Sequence, residues 1–172
     1  MESALEHLEI TQDEYSDKLF ELTNAYWDIQ EKYQNQYDFG IILLDLETVK
    51  KQISSKIEAL ISKLQARAVA TFTSKMDELD KKFQLIEHKL TATHYTIDDV
   101  LEQIEYIKMM FKGADIIEDL ENQLEFLKNK KSFLDEESIK LPSERFTRYL
   151  NLFLQPRSLR DLIEDKFSNL SE

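Results

Sequence analysis

Cysteine is absent from this chain of 172 residues, and glycine and proline occur only twice each. Without cysteine there is no disulfide and no thiolate nucleophile or metal ligand, a composition that suits a reducing cytosolic compartment. So few glycines and prolines leave little material for the tight turns that a sheet protein needs. Two isolated glycines, Gly40 and Gly113, also exclude a glycine-rich phosphate loop, whose backbone must wrap an anion. No uninterrupted apolar run approaches the length of a membrane-spanning helix. Met1-Glu2-Ser3-Ala4 lacks the basic-then-apolar order of a secretory signal. Cations are scarce as well: 22 Lys and Arg against 34 Asp and Glu leave a net charge of −12. Such a surface repels nucleic-acid phosphates and anionic headgroups, so neither nucleic acid nor a membrane is expected as a partner.

What is present points to helices. Charged residues make up 33% and Leu, Ile, Glu and Lys abound, as in long helices and coiled coils. The apolar fraction of 42% is too high for a disordered chain. The class expected is all-α: a single elongated antiparallel helical bundle with coiled-coil-like packing, three long helices followed by two short ones.

Thr11-Gln12-Asp13-Glu14 forms a capping box that opens a helix over 11–39. Tyr15, Leu19, Leu22, Tyr26, Ile29 and Tyr33 then recur at steps of four and three, a packing face rich in aromatics with Trp27 just off it. Gly40 interrupts the pattern, and a bent continuous helix or a tight helix–helix turn is expected there. From 41 to 93 nothing breaks a helix. Ile42, Leu46, Val49, Ile53, Ile57, Leu60 and Leu64 form the first part of its stripe, and Phe72, Met76, Leu79, Phe83, Ile86 and Leu90 the second. Thr91–Tyr95 reads as a corner. Thr96 then caps a helix over 96–134, with Asp98 and Asp99 where the dipole favours negative charge. Its apolar face is Val100, Ile104, Ile107, Phe111 and Ala114, with a local bend at Gly113. Short helices follow over 143–155 and 158–168, the first ended by Pro156 and the second opened by a capping box at Ser158.

Chemistry is hard to place on this pattern. His7, His88 and His94 share no ligand spacing with one another. Glu87-His88, Asp98-Asp99 and Glu118-Asp119 read as solvated faces, since acid–base work needs a desolvated cleft. No catalytic, cofactor-binding or metal-binding residue is assigned, and no enzyme or cofactor is expected.

Three elements in order carry a family resemblance: Thr96-Ile97-Asp98-Asp99-Val100, then Phe133-Leu134-Asp135, then Ile139-Lys140-Leu141-Pro142-Ser143-Glu144. With the helix before them they resemble, over roughly residues 56–155, the stem of dynein heavy chains ahead of the linker, particularly the axonemal type. The resemblance implies a non-catalytic stem segment in motor assembly, force transmission and microtubule-based movement. It implies intermediate and light chains, neighbouring stem bundles or docking factors as partners, and a cytoplasmic, cytoskeletal or ciliary location. The ATPase modules of such a motor would lie elsewhere in its chain. A rival reading is an independent coiled-coil scaffold or adaptor of the cytoskeleton or trafficking machinery, dimerising through the 72–90 heptad.

Overall fold

A computed structural model describes residues 11–92, 96–112 and 114–169. Among these, six helical segments dominate: α1 (Gln12–Lys32), α2 (Glu47–Thr91), α3 (Ile97–Lys112), α4 (Ala114–Glu136), α5 (Ser143–Leu152) and α6 (Gln155–Asn169). The all-α class holds, with one small exception, a two-stranded antiparallel hairpin of β1 (Gln36–Asp38) and β2 (Leu43–Asp45). The chain divides into two compact units whose boundary, between Val69 and Ala70, falls inside α2.

In the first unit α1 opens on the expected capping box. Thr11 Oγ1 accepts from the Glu14 amide, and Glu14 Oε2 accepts from the Thr11 amide at 3.0 Å. Gln30 Nε2 donates to Ser54 Oγ at 2.8 Å, and the Tyr26 hydroxyl is hydrogen-bonded to Glu58. Position 30 thus meets 54 and position 26 meets 58, so α1 and the first part of α2 run antiparallel. Charge favours this pairing: α1 carries Asp13, Glu14, Asp17, Glu21, Asp28 and Glu31, whereas α2 up to Val69 carries Lys50, Lys51, Lys56, Lys63 and Arg67.

The structure corrects the expectation at Gly40. The first helix stops at Lys32 rather than at 39, the second starts at Glu47 rather than at 41, and a β-hairpin joins them. Gly40 takes φ +84°, a left-handed conformation open to glycine, and Phe39 O accepts from the Ile41 amide at 3.1 Å to close a tight turn around it. Asp38 Oδ1 accepts from the Gly40 amide at 2.7 Å, a local bond that competes with helix formation. Tyr37-Asp38-Phe39 and Ile42-Leu43-Leu44-Asp45 supply the aromatic and branched residues that pleated strands favour.

The second unit is a helical bundle. From Phe72 onward the α2 stripe is its centre: Phe72, Met76, Leu79, Phe83 and Leu90 are all buried, and Ile86 is half-buried. Tyr149 of α5 packs its ring 5.7 Å from that of Phe72, and Arg148 bridges Asp77 at 2.8 Å and Asp80 at 3.2 Å. Lys82 of α2 donates to Gln123 of α4 at 2.9 Å, and Gln103 of α3 donates to the carbonyls of Leu90 and Ala92 near the end of α2. Phe111 of α3 stacks on Phe167 of α6 with centroids 3.9 Å apart.

Thr96 caps α3 as expected, its Oγ1 accepting from the Asp99 amide at 3.2 Å. The helix expected over 96–134 is described as two, α3 and α4; Gly113, and so the bend expected there, lies outside the described residues, as do His7, His94 and part of the 91–95 corner. Of the face expected on this segment, Ile107 is buried, but Val100 and Phe111 are exposed, and Met110 is buried in their place. The helix α4 ends in a Schellman motif. Ser138 at φ 58° donates to Asp135 O at 3.0 Å, Ile139 donates to Leu134 O at 2.7 Å, and Leu134 and Ile139 are both buried. Pro156 does not end a helix. It is buried in the first turn of α6, where a missing amide donor costs nothing, and Ser158 accordingly lies inside that helix with its amide bonded to Leu154 O at 3.2 Å.

Candidate interaction surface

The residues weighed for chemistry are dispersed. Glu87 borders an open groove of about 250 Å³ between α2 and α6, shared with Phe83, Leu154, Gln155, Ser158 and Leu159, while His88 is exposed. Asp119 accepts from Gln123 Nε2 at 2.6 Å, and Asp98 and Glu118 are exposed. Among the described residues no group of three or more potential ligands could hold a metal ion. The same residues contain no helix long and apolar enough to cross a membrane.

Each resolved shift in ionisation strengthens the state a group already has at neutral pH. Hydrogen bonds to Asp80 and Asp77 raise Arg148, and a hydrogen bond to Lys75 lowers Glu78. Hydrogen bonds to Asp28 and Glu47 raise Lys32 and Lys51, burial raises Tyr106 and Tyr149, and a hydrogen bond to Glu58 raises Tyr26. These are the marks of ion pairs and packing. A general acid or base needs the opposite, a pKa drawn toward neutrality.

Apolar residues are exposed in both units, and what sets the first apart is that much of its α2 stripe is left uncovered. Its half of α2 carries the same kind of stripe as the second unit's half, yet only Ile57 is buried, while Val49, Ile53 and Leu60 are exposed. Of the face expected on α1, Tyr15 is buried and Leu19, Leu22, Tyr26 and Ile29 are half-buried, while Phe20 and Trp27 off that face and Tyr33 just past the helix end are exposed. The aromatic face of α1 is thus only partly covered.

The hairpin at the junction of these helices is the sharpest part. Its register pairs Tyr37 with Leu44 and Asp38 with Leu43. Paired residues share a face and alternate residues share a face, so Tyr37, Phe39, Ile42 and Leu44 line one side. Asp38, Leu43 and Asp45 fall on the other. Tyr37 stacks on Phe39 at 6.4 Å, but Phe39 remains 68% and Ile42 65% exposed, and Ile41 at the apex is fully exposed.

Lys50 holds this hairpin in place. From the first turns of α2 its ammonium donates to Tyr33 O at 2.6 Å, Asn35 Oδ1 at 3.0 Å and Gln30 O at 3.4 Å, satisfying carbonyls at the C-terminal end of α1. Its role is not legible from spacing, because it depends on a β-hairpin where the sequence pattern offered only a bent helix or a tight helix–helix turn. A signal for the hairpin does exist in Asp38-Phe39-Gly40, where a turn-forming Asp precedes a Gly between residues of high strand propensity. No protein-family model matches the chain, and no curated protein is significantly similar to it.

Proposed function

We propose that the chain is a non-catalytic helical scaffold that presents apolar faces to protein partners, and that it serves as part of a dynein heavy-chain stem. The observation that carries the scaffold reading is the contrast along α2. One stripe is buried where α3–α6 surround it and is left exposed over Val49, Ile53 and Leu60. Exposed apolar surface at helical spacing is what a partner helix or neighbouring bundle covers.

The particular machine rests on the resemblance of the 96–144 segment. In the fold its parts fall at element boundaries: Thr96 caps α3, Phe133-Leu134-Asp135 lies in the last turns of α4, and Pro142-Ser143-Glu144 opens α5. Such a segment would join motor assembly and force transmission in microtubule-based movement, at a cytoplasmic, cytoskeletal or ciliary site. Its partners would be intermediate or light chains, docking factors or adjoining stem bundles.

The rival, an independent scaffold or adaptor, is favoured by the same open stripe if a second copy covers it. A dimer seam through 72–90 is not free for this, because Phe72, Met76, Leu79, Phe83 and Leu90 are buried within their own unit. Reading the transcript past residue 172 separates the two. A stem continues into a linker and nucleotide-binding modules, and a stop codon there sinks the heavy-chain reading. Light scattering adds a second measure, with a monomer expected for the stem and a stable dimer for the adaptor.

A further inference from the structure

We infer that the Gln36–Asp45 hairpin is a docking knob for a protein partner whose cleft has one apolar wall and a rim of Lys or Arg. This rests on the scaffold reading above and names the chemistry of one partner.

Three observations support it. A two-stranded sheet alone is marginal in water and ordinarily needs a third strand or a helix against its apolar face. Here Tyr37, Phe39, Ile42 and Leu44 make such a face, and Phe39 and Ile42 are left mostly exposed. Secondly, the hairpin is braced from its base and its apex rather than from its face. Lys50 ties down the α1 end, Leu46 N donates to Asn35 O at 2.8 Å, and Asp38 and Asp45 accept from the Gly40 and Glu47 amides at 2.7 and 2.9 Å. A pre-ordered element loses little entropy on binding. Thirdly, the opposite side carries Asp38 and Asp45 beside Leu43: both carboxylates are exposed and form no ion pair within 4 Å among the described residues, Lys51 acting on Asp45 from farther away.

Those carboxylates choose among possible occupants. Backbone groups of Gln36, Asp38, Leu43 and Asp45 point away from the hairpin's own ladder, so they form its free edges. A second copy adding edge to edge would bring carboxylates against carboxylates, the arrangement that proteins use to block strand addition. An anionic bilayer would meet the same charges on a chain of net charge −12. A cleft with an apolar wall and basic rim satisfies both faces.

The test selects from a random peptide library on the whole chain, with Phe39→Ser/Ile42→Ser as the comparison variant and Ile41→Ser as a second. All three positions are exposed, so circular dichroism should be unchanged. Selected peptides should combine apolar residues with Lys or Arg. They should bind the double variant at least about tenfold more weakly, as loss of a central apolar anchor does, and weaken with Asp38→Asn/Asp45→Asn. Peptides that bind the variants equally, or hairpin-dependent peptides without cations, would overturn the proposal. So would hairpin-dependent dimerisation, or hairpin-dependent partition onto phosphatidylcholine or phosphatidylserine vesicles. A stop codon after Glu172 would end the stem reading without altering any of these results.

Discussion

Two residues in the left-handed backbone region make opposite predictions. Gly40 sits at φ +84° with no atom beyond its own chain neighbours within 4 Å of where a Cβ would be, so Ala would meet no other part of the chain and bear only the conformational cost. That cost is about 1–2 kcal/mol for an L-residue in the left-handed region. Gly40→Ala should therefore loosen the hairpin without disturbing the second unit, visible as faster amide exchange at Ile41 and Ile42. Ser138 at φ 58° is the converse case, a non-glycine at a position where glycine is the usual choice. Ser138→Gly should stabilise the chain by about 0.5–1 kcal/mol in denaturant titration, because the strain relieved exceeds the chain entropy that glycine adds. An unchanged or lower midpoint would mean that the strain at Ser138 is no larger than the chain entropy glycine adds.

At the scale of elements, α2 offers an internal comparison, since one helix carries two similar stripes in different surroundings. Phe83 is 2% exposed, and Phe83→Ala should cost about 3–5 kcal/mol, transfer and cavity terms together. Ile53 is 42% exposed, and Ile53→Ala should cost less than about 1 kcal/mol, a difference readable in parallel thermal melts. Equal losses would mean that a partner already covers Val49, Ile53 and Leu60 in solution. Periodicity makes the two stripes look alike, because it reports which residues share a face and not whether another element covers it. Capping was legible for a related reason: Thr11 with Glu14 and Thr96 with Asp99 are short-range devices written within four residues. The hairpin was not, since Ile41-Ile42-Leu43-Leu44 continues a helical stripe as readily as it alternates across a sheet. There the Gly40 turn and the Asp38 side chain decide between two periods. Pro156 was misplaced because proline stops one helix and starts another with equal ease, and only the following chain tells which. The hairpin's exposure, which carries the candidate site, depends on what packs nearby and has no signature in spacing.

For the whole molecule, two effects act in the same direction in alkali. Rising pH adds negative charge to a chain already at −12, which destabilises the compact state by self-repulsion. Independently, burial raises the hydroxyl pKa of Tyr106, and burial followed by the charges of Asp135 and Glu125 raises that of Tyr149. The sign follows from proton counting. Above the ordinary tyrosine value of about 10 the unfolded chain releases these protons first, while the folded chain keeps them. Their contribution is complete below that value and is lost as pH rises through the folded values. Denaturation midpoints measured across this window should therefore fall. The double variant Tyr106→Phe/Tyr149→Phe, which cannot ionise, should fall less steeply. Salt distinguishes the other cause: repulsion between surface charges is screened within about 10 Å at moderate ionic strength, whereas the cost of ionising a buried ring is not. A decline abolished by salt and unaffected by the Phe pair would assign the alkaline weakness to net charge alone. A decline that persists in salt and is reduced by the Phe pair places it in the contacts of α3 and α5, inside the unit that buries the second stripe of α2.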